Sequence, residues 1–158
     1  MKKTDNSGYT LVEILTVVAI LTLLVGTAGV SISLAYSRDA EKSAKLINDA
    51  METARMYALS KKGSFTLEID FENHLIAIPE AGEEEDLPSR LKLYLPEDAN
   101  IKKVSVTFDK AAGKVREIQT DKGGYGGDLL CITSENTRGK KASVLLIRNT
   151  GKHYVEYE

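Results

Sequence analysis

A chain of 158 residues with 21 Lys and Arg against 23 Asp and Glu carries a formal charge of −2, which excludes nucleic-acid binding driven by an overall basic excess. Hydrophobic residues at 42% and charged residues at 28% fit one globular domain plus an appendage, and exclude a disordered or collagen-like chain. A single cysteine, Cys131, excludes an internal disulfide and every multi-cysteine metal site.

The apolar residues concentrate early. From Ile14 to Ser37 there are 24 residues without a charge. As a helix at ~1.5 Å per residue this run reaches about 36 Å, enough for a hydrocarbon core of about 30 Å, so the sequence predicts a transmembrane helix. Lys2 and Lys3 precede the run and no comparable basic cluster follows it. The positive-inside rule then leaves the N-terminus in the cytoplasm and the rest extracytoplasmic. Ser33-Leu34-Ala35 imitates a signal-peptide cleavage site, but the apolar core of such a peptide is only ~7–15 residues long. A lipoprotein anchor needs a cysteine just after the apolar run, and Cys131 is far away.

Arg38 to Lys62 contains no Gly or Pro and is rich in Ala, Lys, Glu, Met and Leu, all strong helix formers. Ala40, Ala44, Ile47, Met51, Ala54 and Ala58 recur at spacings of three and four and draw one apolar stripe. Gly63 supplies the stop. The spacing therefore predicts an amphipathic continuation of the apolar helix, with the stripe presented to a partner surface.

Past Gly63 the period becomes two. Ser64–Phe71 alternates Phe65, Leu67, Ile69 and Phe71 on one side, the pattern of a half-buried strand. Glu72-Asn73 turns into a second strand, His74–Pro79, and Glu80–Ser89 reads as an exposed, mobile loop. Further strands are expected at Leu91–Leu95, Ile101–Phe108, Lys114–Thr120, Leu129–Thr133, Ala142–Arg148 and His153–Tyr157. Turn residues separate them at Pro96, Gly113, Gly123–Gly127, Gly139 and Gly151. The expected class is α+β, with antiparallel sheet covered by the amphipathic helix.

At the head of the apolar run stands Gly8-Tyr9-Thr10-Leu11-Val12-Glu13. This resembles the processing motif of type IV pilins and type II secretion pseudopilins: a short basic leader, Gly, an aromatic residue, TLxE and a long apolar helix. Tyr9 stands where that family usually has Phe. Ala54–Ala58 before Lys62-Gly63, Phe108-Asp109 with Gly113, and Ile147–Lys152 are similar to the H-type minor pseudopilins and their FimT-like relatives. The resemblance implies the pilin fold, a long N-terminal helix packed on antiparallel β-sheet. It also implies cleavage after Gly8 by a prepilin peptidase and N-methylation of Tyr9. The chain would then divide into a leader (1–8), a transmembrane and assembly helix (9–36), an amphipathic continuation (37–62) and an extracytoplasmic β-rich domain (63–158). Implied partners are other pilin or pseudopilin subunits, the peptidase, an inner-membrane assembly platform protein, and membrane lipid before assembly. The implied location is the cell (inner) membrane as a single-pass protein, then a surface or periplasmic filament.

Glu13 would be the fifth residue of the processed chain. A carboxylate at the edge of an apolar helix is costly unless paired or able to reach water. Cleavage after Gly8 frees an α-amine with a typical pKa of roughly 7.7–8.0, and in a staggered filament that cation can meet Glu13 of a neighbour. Apolar rods slide; one buried charge pair favours one stagger.

The remaining constellations carry less chemistry. His74 and His153 are single, flank strands and have no partner ligands at metal spacing, so both read as surface or hairpin residues. Cys131 lies in an alternating segment as a small hydrophobe. Neither Gly139-Lys140-Lys141 nor Gly123–Gly127 matches a phosphate-binding GxxxxGK[ST] loop. Residues 64–100 hold ten acids against two bases, but no spaced calcium-ligand pattern is visible. Arg138, Lys140, Lys141, Arg148 and Lys152 form a late basic bias able to touch DNA phosphates if they share a face.

No enzyme, metal or cofactor is expected. The leading expectation is a minor pilin or pseudopilin, a structural subunit of a type IV pilus-like or type II secretion filament. The alternatives are a DNA-binding minor pilin of an uptake pilus and a signal-anchored extracytoplasmic binding domain.

Overall fold

Thr10 starts the helix: its carbonyl and its hydroxyl both accept from the Glu13 amide, at 3.0 and 3.3 Å, the geometry of an N-cap. In the computed structural model residues 10–158 are described, apart from 62 and 111 and with the backbone alone over 26–37. Helical backbone, α1, covers Leu11–Ser60. The chain divides into two units, Met1–Ala35 and Tyr36–Glu158.

The expected membrane crossing is corrected here. The described helical side chains form one stretch of 15 residues and one of 23, and among the described residues no helix is long and apolar enough to cross a membrane. At ~1.5 Å per residue the first stretch, 11–25, reaches only about 22 Å against a hydrocarbon core of about 30 Å. The second, 38–60, carries Arg38, Asp39, Glu41, Lys42, Lys45, Asp49, Glu52 and Arg55, a charge load incompatible with lipid. The rest of the uncharged run, 26–37, lies outside the described side chains. The single-pass topology, the inner-membrane location and the fold class built on a long apolar N-terminal helix are all set aside. In their place stand, among the described residues, the two helical stretches and ten strands in two antiparallel sheets.

Within Tyr36–Glu158 the helix has one covered side. Ala40, Ala44, Ile47, Met51, Ala54 and Ala58 are each at most 1% exposed, so the three-and-four spacing marks the face that folding buries. Small residues at four of those six positions let the helix backbone come close to the strands. The Ser134 hydroxyl, reaching over from a strand, donates to Ala40 O at 2.8 Å.

The first sheet contains β1 (Phe65–Asp70), β2 (Leu75–Ile78), β3 (Glu83–Asp86), β5 (Lys103–Phe108), β6 (Val115–Thr120) and β7 (Gly123–Gly124), in the spatial order β3-β2-β1-β5-β6-β7. The second contains β4 (Leu91–Tyr94), β8 (Leu129–Asn136), β9 (Lys141–Ile147) and β10 (Lys152–Tyr157), ordered β10-β9-β8-β4. Leu67 and Ile69 of β1, Val104, Val106 and Phe108 of β5, and Leu130, Ile132, Val144 and Leu146 of the second sheet join the helix stripe in one core. Alternation buries every second residue of β1, β2, β4, β5, β8 and β9.

Two segments depart from the sequence reading. Glu80–Ser89 is not wholly loop: Glu83–Asp86 pairs with β2, Ile76 opposite Glu85. Backbone bonds make this strand although all four of its side chains stay exposed to water. Glu80 and Glu83 are also engaged, the first accepting from the Thr66 amide at 3.0 Å and the second from the Tyr57 hydroxyl. Gly123-Gly124, expected as a turn, also forms two ladder pairs with Gln119 and Thr120.

Asp70 closes the β1–β2 hairpin. Its carboxylate accepts from the Glu72 and Asn73 amides at 3.0 and 2.9 Å and from Asn73 Nδ2 at 2.8 Å, and pairs with Lys103 Nζ at 2.8 Å. Burial pushes its pKa up, but the Lys103 ammonium and the Asn73 hydrogen bonds outweigh that and hold it at about 2, against an ordinary 3.8. A depressed carboxylate stabilises the fold above its unfolded pKa and loses that contribution as pH falls through the folded value. Asp70→Asn should therefore cost about 1–2 kcal/mol at pH 7 in urea unfolding, the solvent-exposed Lys103 limiting the loss. The gap between variant and parent should close as pH is lowered from about 4 to 2.

Candidate functional site

Among the described residues, nothing covers the side chains of residues 11–25. Leu11, Val12, Ile14, Leu15, Val17, Val18, Ile20, Leu21, Leu23, Leu24 and Val25 are 51–77% exposed, and they surround the helix instead of forming a stripe. A helix apolar on every side is normally buried on every side. At about 2 kcal/mol for a fully covered side chain, covering even half of each of these is worth on the order of 10 kcal/mol.

The polar residues do not relieve this. Thr16 Oγ1 donates to Val12 O at 2.7 Å and Thr22 Oγ1 to Ala19 O at 2.8 Å, so both hydroxyls turn back on the helix and show their methyl groups outward. The sequence reading missed them, although a lone Thr in an apolar helix is itself the signal. Leu11, Ile14, Leu15 and Val18 outline a shallow groove along one side.

Glu13 sits in the first turn, where the helix dipole favours a negative charge. Among the described residues its carboxylate has no ion-pair or hydrogen-bond partner. An acid available for a partner thus stands at the head of the apolar surface. Gly8 and Tyr9 lie outside the described residues.

The five late basic residues do not share one place. Arg138 and Lys140 occupy the β8–β9 turn, where both backbone amides donate to Asn136 Oδ1, at 2.9 and 3.0 Å. Lys141 opens β9 opposite Glu135. Arg148 and Lys152 stand at the other end of β9, about 23 Å along at ~3.3 Å per residue, and Arg148 Nη1 donates to Tyr125 O at 3.3 Å. A single phosphate-tracking face is not formed by these five.

Other candidates resolve into structure. His153, expected as a surface or hairpin residue, has a side chain only 5% exposed and places Nε2 3.3 Å from Glu52 Oε2. His74, at φ +53, puts Nε2 2.8 Å from Leu91 O. Cys131 is half-buried and free, with Thr133 Oγ1 at 3.8 Å. Tyr125 pins the glycine run through Glu97 Oε2 at 2.7 Å and Leu129 O at 2.8 Å; burial and the Glu97 carboxylate push its pKa up to about 12. Among the described residues no three His, Cys, Asp or Glu are grouped so as to hold a metal ion.

No family model, curated protein or solved structure matches this chain.

Because Leu15 and Val18 are more than half exposed, Leu15→Asn with Val18→Asn should change the unfolding free energy by under about 0.5 kcal/mol. Self-association of the full chain, followed by sedimentation, should weaken at least about tenfold, since two apolar contacts would be replaced by amides that need solvent.

Proposed function

We propose that this chain is a structural subunit of a filament of the pilin or pseudopilin type, most similar to the H-type minor subunits. The observation that carries the reading is the uncovered apolar surface over residues 11–25 with the available acid Glu13 in its first turn. Such a surface is an interface awaiting copies or relatives of itself. The GYTLVE motif at its head supports the same reading, with a prepilin peptidase cleaving after Gly8 and other pilin-type subunits and an assembly platform as partners.

The mechanism is electrostatic register on an apolar bed. Processing would create an α-amine on Tyr9, cationic at neutral pH. Side by side, helices gain most of their association energy from apolar burial, which tolerates sliding. Pairing that amine with Glu13 of a neighbour removes two charges from a poor solvent at one stagger only. Residues 36–158 would then decorate the fibre.

Mass spectrometry of the chain recovered from its host tests the reading: the N-terminus should be Tyr9, methylated. A chain that keeps Met1–Gly8 in cells with an active processing peptidase overturns it. Glu13→Val should be processed normally yet enter filaments at under about a tenth of the parental level; parental incorporation would remove the charge-pair mechanism.

A further inference from the structure

The two sheets have four edges, and they are finished differently. β3 carries Glu83, Glu84, Glu85 and Asp86, and like charges repel an incoming strand. β7 is two glycines long. On β4 the Leu91 carbonyl is occupied by His74 Nε2 at 2.8 Å. Among the described residues β10, six residues long, pairs with β9 alone and carries no such device.

Hydrogen-bond alternation shows which of its groups are open. The Glu158 amide donates to Lys141 O at 3.1 Å. Counting back by twos, Glu156, Tyr154 and Lys152 exchange bonds with β9, while His153, Val155 and Tyr157 aim their backbone groups outward. The side chains follow the same period: His153 turns toward Glu52 of the helix, and Lys152, Tyr154 and Glu156 stand exposed on the outer face.

We infer that β10 is a self-complementary edge that pairs antiparallel with β10 of a second copy, about a two-fold axis at Tyr154. In that register Lys152 lies opposite Glu156 of the second copy, and Glu156 opposite its Lys152. Tyr154 meets Tyr154. These are non-hydrogen-bonded positions, where opposed side chains come closest. His153 and Val155 of each copy then exchange backbone bonds with Val155 and His153 of the other, using the groups that β9 leaves open. The outer face gains as well. Tyr154 is in one row with Leu145 and Cys131, and Lys152 in the next with Ile147 and Leu129. Pairing joins two half-exposed apolar faces across the axis. A second copy fits better than an unrelated extended peptide because one strand supplies both members of each charge pair. This contact needs nothing from residues 11–25 and stands independently of the filament reading.

Disulfide trapping in the purified full-length chain tests it, in a Cys131→Ser background. Opposed Cα atoms at a non-hydrogen-bonded pair are about 4.5 Å apart, inside the range a disulfide spans. Tyr154→Cys should give oxidised homodimer at least tenfold above Glu117→Cys, which places a thiol on an exposed position of β6 in the other sheet. Lys152→Cys alone should not dimerise, whereas mixing it with Glu156→Cys chains should give the mixed dimer. With Tyr154→Cys as reporter, Lys152→Glu should reduce the yield at least fivefold, and adding Glu156→Lys should restore it. Equal yields at 154 and 117, or a Lys152→Cys homodimer, overturn the inference. So does a chain that leaves Tyr154→Cys unlinked, which assigns the edge to a strand of another protein.

Discussion

One helix and two sheets are held in register where Gly113 meets Gly151. The turn before β6 and the turn before β10 approach so closely that a Cβ on Gly151 would collide with the Gly113 carbonyl, and Gly151 also sits at φ +65, a conformation that costs a side-chain-bearing residue energy. Arg55 donates Nε to that same Gly113 carbonyl at 3.2 Å. Glu52, one turn back on the helix, lies 3.7 Å from Arg55 and 3.3 Å from His153. The His153 ring faces acceptors on both sides, Glu52 at Nε2 and the Gly151 carbonyl at Nδ1, 3.1 Å away. Through these few atoms the helix senses both hairpins at once. The Val115 amide bonding Arg148 O at 3.2 Å ties the hairpins directly to each other.

That joint explains how a narrow stripe of mostly alanine suffices as the helix's share of the core. Alanines contribute little apolar area each, so their value lies in closeness: Met51 and Ile47 beside them are both at most 1% exposed in the shared core. Two polar contacts close the boundary, Ser134 to Ala40 at one end and Arg55 to Gly113 at the other, while between them Ser43 Oγ and Asn48 Oδ1 are buried without a hydrogen-bond partner among the described residues. In contrast, the side chains of residues 11–25 receive no such cover. The helical backbone therefore carries two kinds of surface: a face over 38–60 that is buried in the core, and apolar side chains over 11–25 that stay exposed among the described residues.

Much of this was legible in the sequence for a simple reason. Period-two alternation and the three-and-four stripe are imprints of burial, so Leu67, Ile69 and Ala44 declare their direction without coordinates. What escaped was whatever rests on backbone pairing. β3 is invisible because its four acids have no apolar member to alternate, and its bonds with β2 depend on position alone. Membrane insertion was over-read from a count of uncharged residues; among the described side chains neither stretch of helix has the length and apolarity for it. The late basic residues share a segment but not a surface, because β9 carries Lys141 and Arg148 to opposite ends of its length. Sequence proximity predicts spatial proximity in a helix turn, not along a strand. The buried seat of His153 was equally hidden, since its partner Glu52 lies a hundred positions away.

The edges show what a sheet protein must add to a pattern of burial. An open strand edge recruits other chains indiscriminately unless charge, brevity or a side-chain cap prevents it. Here the three blunted edges use three different means, which argues that each is a solution to a local problem rather than a by-product of composition. Acids suffice at β3 because its side chains reach water on both faces. At β4 the outward backbone groups are those of Leu91 and Leu93, and a histidine from the β1–β2 hairpin is brought across to the Leu91 carbonyl. A fourth edge of six residues, with opposite charges set symmetrically about a tyrosine, follows a different logic from the other three. Its side chains restrict the register of a joining strand without repelling it, which is the property expected of an edge meant to be used.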